Sequence, residues 1–220
     1  VFIEIYRLYS LFLSIIYLLI TNFIYLGISL YIMPKAPGKI ILFGEHFVVH
    51  GSYAIAASID RYTEIEILNV EESESPELNA TFNGEEVRKM GHLYNAGINI
   101  LKFLGLNKDI KIKITSDIKS SGLGTSASFS VGFAKALDEK FNLDLGRIKI
   151  NEVAYEGEKA FHGNPSGIDN TTCMYEGIIL FWKERKLNYS KINPKEKIKL
   201  IVVDTGQKRN TDKMIANVNN

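Results

Sequence analysis

Apolar and polar positions change period along this chain, and the changes divide it into elements. Around residues 110–115, Ile110, Ile112 and Ile114 alternate with Lys111 and Lys113, a period of two that predicts a half-buried strand. Lys39-Ile-Ile-Leu-Phe43 is a short apolar run bounded by Pro37-Gly38 and Gly44, which predicts a buried strand. Val48-Val49 and residues 53–59 read as further short strands around Gly51, and residues 62–70 alternate with Ile65 and Ile67 on one face. Met90, Leu93, Tyr94, Ile98, Leu101 and Phe103 recur at helical spacing and stop near Gly105. Two more helices are predicted over residues 125–141 and roughly 145–161, followed by turn chemistry at Asn164-Pro-Ser-Gly167. Residues 177–182 and 199–203 read as strands, and a helix begins at 211–218. Strands come in groups between helices, so the predicted class is α+β rather than a strictly alternating parallel sheet.

The first 32 residues do not fit this pattern. Residues 11–32 are 22 positions without a charge, long enough to span a bilayer as a helix. No small-x-small cleavage pattern precedes Met33, which argues against a cleaved signal. The chain starts with Val, and Met33 directly precedes the globular pattern. The reading adopted for residues 1–32 is an over-extended start, with AT-rich upstream DNA translated in frame; a membrane segment is the alternative.

Composition narrows the remainder. With 220 residues, 46% of them hydrophobic, the chain can bury a sizeable core in one large domain or two small ones. A formal net charge of +1 and no basic block argue against nucleic acid as a partner. Cys173 is the only cysteine, so no intrachain disulfide can form; this fits a reducing, cytoplasmic setting. It reads as a small buried residue rather than a nucleophile.

The densest candidate chemistry lies in Lys119-Ser120-Ser121-Gly122-Leu123-Gly124-Thr125-Ser126-Ala127-Ser128, between a predicted strand and a predicted helix. Gly122 and Gly124 permit a tight turn that brings backbone amides close to a ligand. Thr125, Ser126 and Ser128 add hydroxyls where a helix N-terminus attracts phosphate. This is not a Walker A loop, because Gly-Lys-Ser/Thr is missing at its end. Gly122-Leu-Gly124-Thr-Ser-Ala127 matches G-x-G-x-x-A, but six residues separate Thr115 from Gly122, and Asp144 sits between helical patterns instead of ending a second strand. A phosphate cradle and an ordinary helix-entry turn both remain open on the loop alone.

Three further islands carry reactive side chains. Lys39 opens a buried strand, where a free ammonium needs an acid or phosphate partner, unless it reaches solvent at the strand edge. Glu45 and His46 follow at the strand's end, where a polar turn is the plain reading. On the second predicted helix, Glu152, Glu156 and Lys159 form an exposed face; Glu158 lies between them, either solvated with them or facing inward with Tyr155 and His162. Asp169 follows the rigid Asn164-Pro-Ser-Gly turn, which can aim a carboxylate into a cleft.

Together these islands resemble the GHMP kinase superfamily. Lys39-Ile-Ile-Leu-Phe-Gly-Glu-His-Phe-Val-Val-His-Gly51, Ala154-Tyr-Glu-Gly-Glu158 and His162-Gly-Asn-Pro-Ser-Gly-Ile-Asp169 resemble its mevalonate kinases of the archaeal type. Asp204-Thr-Gly to Arg209-Asn-Thr211 fits the same family. The resemblance spans residues 34 to about 218 and leaves out 1–32. It implies a two-domain α+β fold, with a complete N-terminal domain over 33–183 and the beginning of a truncated C-terminal domain over 184–220.

The resemblance also implies roles. Asp169 would take the proton of the attacking hydroxyl, and Lys39 would hold that carboxylate ionised and stabilise the transferring phosphate. Residues 119–128 would cover the ATP phosphates. Ser126 and Glu158 would hold Mg²⁺ through hard oxygens. Lys39, Glu45, His46 and Asp169 would line the mevalonate site. ATP and mevalonate are the partners implied, and a homodimer is compatible with the resemblance. Two departures stand out: Thr125 replaces the family's usual Ser, and the chain ends at Asn220 before the family's third, Gly-rich motif. A phosphomevalonate kinase or galactokinase type of GHMP enzyme, and an inactive membrane-tethered fragment, are the alternatives; no galactokinase sugar signature is present near the N-terminus.

Overall fold

The computed structural model describes residues 33–45, 47–48, 51–120, 122–184, 186–196 and 198–203. Segment 1–32, the motif spanning 204–211 and the helix expected at 211–218 lie outside the described residues. From Pro34 onward the described residues belong to one compact unit.

A seven-stranded mixed sheet organises the fold. In chain order its strands are β1 (Lys35–Phe43), β2 (Ala54–Glu72), β3 (Glu77–Phe82), β4 (Glu85–Glu86), β5 (Lys108–Ser116), β6 (Ile178–Lys183) and β7 (Leu187–Ile192). β2 is long enough to serve three partners, all antiparallel: β1, then β6 at residues 54–57, and β5 at residues 63–72. β3 pairs with β5 in parallel. Among the described residues, four helices accompany the sheet: α1 (His92–Phe103), α2 (Thr125–Phe141), α3 (Gly146–His162) and α4 (Ile168–Tyr175).

The alternation in β5 sets its register. Ile110, Ile112 and Ile114 are fully buried against the helices, while Lys111 and Lys113 face outward. A fully buried Ile contributes roughly 1.5–3 kcal/mol. A one-residue slip would bury the two lysines instead, so that register is strongly disfavoured. The same core takes Ile65 from β2, Leu78 from β3, Ala96, Ile100 and Leu101 from α1, Phe129 and Phe133 from α2, and Val153 and Ala154 from α3. A second cluster joins Val48, Ala54, Ala56, Ile179 and Phe181 to Ile168, the first residue of α4. That contact anchors the helix start that carries Asp169.

The α+β class agrees with the sequence reading, and several local expectations need correction. The runs at 53–59 and 62–70 are one strand: Pro37 pairs with Tyr62 and Gly38 with Ile59, so Asp60 and Arg61 are taken up as a bulge opposite a proline that has no N–H for the ladder. Val48 is not in a strand; its N–H and that of Phe47 donate to Gly44 O (3.1 and 3.2 Å) in a tight turn. Residues 199–203 form no strand among the described residues, and Ile201 there is 91% exposed. The predictions omitted β3, β4, β7 and α4. Helix α4 reads Ile-Asp-Asn-Thr-Thr-Cys-Met-Tyr, a run of modest helix formers, yet every residue in it except Asp169 is buried. Tertiary burial outweighs propensity there. No described helix is long and apolar enough to cross a membrane.

Candidate active site

The middle of β1, the start of α2, the C-terminal half of α3 and the first turn of α4 converge on one cluster. Lys39 supplies its cation. Its side chain is 7% exposed, and its Nζ lies 3.0 Å from Asp169 Oδ1. The lysine therefore does not reach solvent at a strand edge. Burial alone would lower its pKa, but the attraction of Asp169, with a smaller one from Glu45, outweighs this and raises it above 10.5. The ammonium stays charged. Among the described residues, Lys39 is the ion-pair partner of the buried Asp169 Oδ1.

The glycine loop packs directly on this lysine. Lys39 N donates to Leu123 O at 2.8 Å. Gly124 has φ +80°, and a Cβ there would meet Lys39 Cγ at 2.6 Å. Both facts require glycine: an L-residue is strained at this φ, and the added carbon would displace the ammonium. Gly124→Ala is thus expected to cost the intact protein more than the ~1 kcal/mol of the backbone strain alone. Urea unfolding checks this, and unchanged stability would mean that the loop is not packed on Lys39.

Helix α2 presents the hydroxyls. Ser126 Oγ donates to Glu158 Oε2 (3.3 Å) and Ser130 Oγ to Glu158 Oε1 (3.2 Å). Glu158 is fully buried, so of its two readings the inward one holds. Gly157 lets α3 approach this closely, since a Cβ there would sit 2.7 Å from Ser130 Oγ. Burial first, then the nearby Asp169 charge, pushes the Glu158 carboxyl up to about 8 against the help of Ser130, Ser126 and Lys39. Glu158, His162 and Asp169 each place a ligand atom within 4.8 Å of the others. A divalent cation beside Glu158 and Asp169 would stabilise both as carboxylates, whereas Lys39 alone leaves Glu158 favouring its protonated form. The hard oxygens of Ser126, Glu158 and Asp169 suit such an ion.

The remaining predicted residues divide. Lys119 and Gly122 are exposed, and Ser120, Leu123 and Thr125 are half-buried. Ala127 is fully buried. Ser128 turns inward and donates to Ala36 O at 2.6 Å, so its hydroxyl is not free for a ligand of the loop. This corrects the expectation that Ser128 contributes a hydroxyl there. Glu45 is exposed and acts on Lys39 through its charge. Ser121 and His46 lie outside the described residues. Cys173 is fully buried.

Three supporting groups were missed. Ser130 was readable as the residue one helical turn after Ser126, on the same face. Asn151 and Asn170 tie α3 to α4 through Asn170 Nδ2–Asn151 Oδ1 (2.8 Å), which no sequence pattern signals. Tyr155 Oη and Lys183 Nζ both donate to Pro165 O (3.0 and 3.2 Å), fastening the turn before Asp169.

The chain resembles known proteins in sequence and fold. Residues 91–177 match the family described as the GHMP kinases N terminal domain. The mevalonate kinase of Aeropyrum pernix is 32% identical over 197 residues, covering 84% of this chain and 60% of that protein. That of Methanocaldococcus jannaschii is 35% identical over 162 residues, covering 66% and 52%. Among solved structures, the L. major mevalonate kinase in complex with R-mevalonate superposes with a TM-score of 0.72 at 33% identity, covering 85% of this chain and 60% of that one. The chain thus spans roughly half to three fifths of these relatives' length. It carries a GHMP kinase N-terminal domain and belongs to the GHMP kinase superfamily, in which the curated relatives it matches include mevalonate kinases.

Proposed function

We propose that the intact protein is a mevalonate kinase, transferring the γ-phosphoryl group of ATP to the primary 5-hydroxyl of mevalonate in isoprenoid biosynthesis. The observation that carries this reading is the buried Lys39–Asp169 pair, 3.0 Å apart, with the Gly122–Gly124 turn packed on the lysine, in a chain whose curated relatives include mevalonate kinases. Phosphoryl transfer needs chiefly positioning and charge neutralisation, which this cluster is built to supply.

Each residue then has a task. Asp169 accepts the hydroxyl proton as the oxygen attacks. Lys39 pairs with that carboxylate and faces the charge on the transferring group. Residues 119–127 lie over the ATP phosphates, with backbone N–H groups at the start of α2 as donors. Ser126 and Glu158 would hold Mg²⁺, which supplies charge neutralisation on the phosphate oxygens when bound. By the resemblance, His46 would donate to the mevalonate carboxylate or a hydroxyl, and Glu45 would accept from a hydroxyl.

Substrate choice tests the reading. At equal concentrations, the intact protein is expected to phosphorylate mevalonate far faster than homoserine, galactose or 5-phosphomevalonate. Preference for any of the other three would leave the superfamily assignment standing and overturn mevalonate as the substrate.

A further inference from the structure

His162 has no task in the chemistry above, yet it stands at the cation cluster. It lies one helical turn after Glu158 on α3, on the same face. Its Nε2 is 3.7 Å from Glu158 Oε2. That oxygen is also the one that accepts from Ser126, while Oε1 is held by Ser130. Glu158 Oε2 therefore has both Ser126 and His162 beside it. Asp169 closes the group from α4, with all three ligand atoms within 4.8 Å. Around an ion with ligand distances of ~2.1 Å, cis ligands lie ~3 Å apart and trans ligands ~4.2 Å apart. The 3.7 Å separation falls between these values, so a small movement of the half-exposed imidazole completes either arrangement.

Donor chemistry sharpens the point. Mg²⁺ needs only oxygens and gains little from an imidazole, whereas Mn²⁺, Co²⁺ and Zn²⁺ bind imidazole nitrogen well. Paired ligands four residues apart on one helix are a recurrent way to hold such ions. Building on the proposed role of Glu158 as a cation ligand, we propose that His162 is a third protein ligand of this site, and that the site takes a first-row transition-metal ion through Glu158, Asp169 and the His162 imidazole. Mg²⁺ uses the oxygens alone. His162 thereby sets the metal preference of the centre without being needed for charge neutralisation.

The probe is Mn²⁺, added to the intact protein alone and with ADP. Electron spin-echo modulation reads directly whether ¹⁴N is bonded to the ion, and equilibrium titration gives affinity. The expected result is clear ¹⁴N modulation in the wild type, lost in both His162→Gln and His162→Ala. Mn²⁺ affinity should fall at least about ten-fold in these variants while Mg²⁺ affinity changes by less than about three-fold. Glu158→Gln should weaken both ions. Mn²⁺ that binds through Glu158 without ¹⁴N modulation would overturn the His162 assignment and leave the cation site intact. So would modulation that persists in both His162 variants, which would point to one of the chain's three other histidines. Mn²⁺ binding that is absent, or indifferent to Glu158→Gln, would overturn the cation site together with its third ligand.

Discussion

Asp169→Asn is expected to lower kcat of the intact protein by about 10²–10⁴-fold, the range by which a positioned base contributes. The substitution keeps the shape of the side chain and removes its ability to take a proton. Asp169 occupies the first turn of α4, whose other residues are buried, so its backbone is held independently of its charge. Ile168 sits in the second apolar cluster and Thr172 Oγ1 donates to Ile168 O at 2.7 Å, which fixes the same turn. The fold should therefore survive, and KM for either substrate should change far less than kcat. Single-turnover kinetics separates chemistry from product release. A near-normal rate in a folded variant would remove Asp169 from the proton transfer.

Lys39→Met should be damaging twice over. Methionine fills the channel left by the lysine stem but carries no charge. Loss of a donor aimed at developing charge costs on the order of 10²–10³ in kcat. Stability should fall as well, because the Asp169 carboxylate then loses its counter-ion. Removing one partner of a buried pair costs about 3–5 kcal/mol; since the Asp169 side chain is 24% exposed and partly solvated, about 2–3 kcal/mol is expected. The double variant Lys39→Met with Asp169→Asn separates the two effects. It should recover most of the stability and none of the activity. Urea unfolding that shows no recovery would mean that Lys39 stabilises the fold by packing rather than by pairing.

Much of this architecture was legible in the sequence where one period persists over many residues. The alternation at Ile110, Ile112 and Ile114 and the apolar faces of α2 and α3 locate those elements to within a few residues. Legibility failed where tertiary contacts decide. The Asp60-Arg61 bulge hides the continuity of β2, since two charged residues in mid-strand read as an interruption. Helix α4 is specified by burial against β1, β2 and the neighbouring helices rather than by its own modest formers.

The site shows the same division. Glu152, Glu156 and Glu158 lie within two turns of one helix, and composition cannot tell which of them is buried. Burial of Glu158 follows from the gap that Gly157 opens against α2. Lys39 is recognisable as an anomaly in an apolar strand, but its partner stands 130 residues away and is found only once α4 is folded. Family resemblance named these roles before packing could explain them. Ser128 shows the limit of that route: its place in the loop motif suggested a ligand, and its hydroxyl serves β1 instead.

The most direct measurement follows the phosphorus atom. The intact protein is mixed with ATP, Mg²⁺ and R-mevalonate, and the product is read by ³¹P NMR. A new phosphomonoester signal coupled to two methylene protons is predicted, as transfer to the primary 5-hydroxyl requires. An ester without that coupling would place the phosphate on another hydroxyl, and ATP turnover with no ester formed would contradict the assignment as a mevalonate kinase.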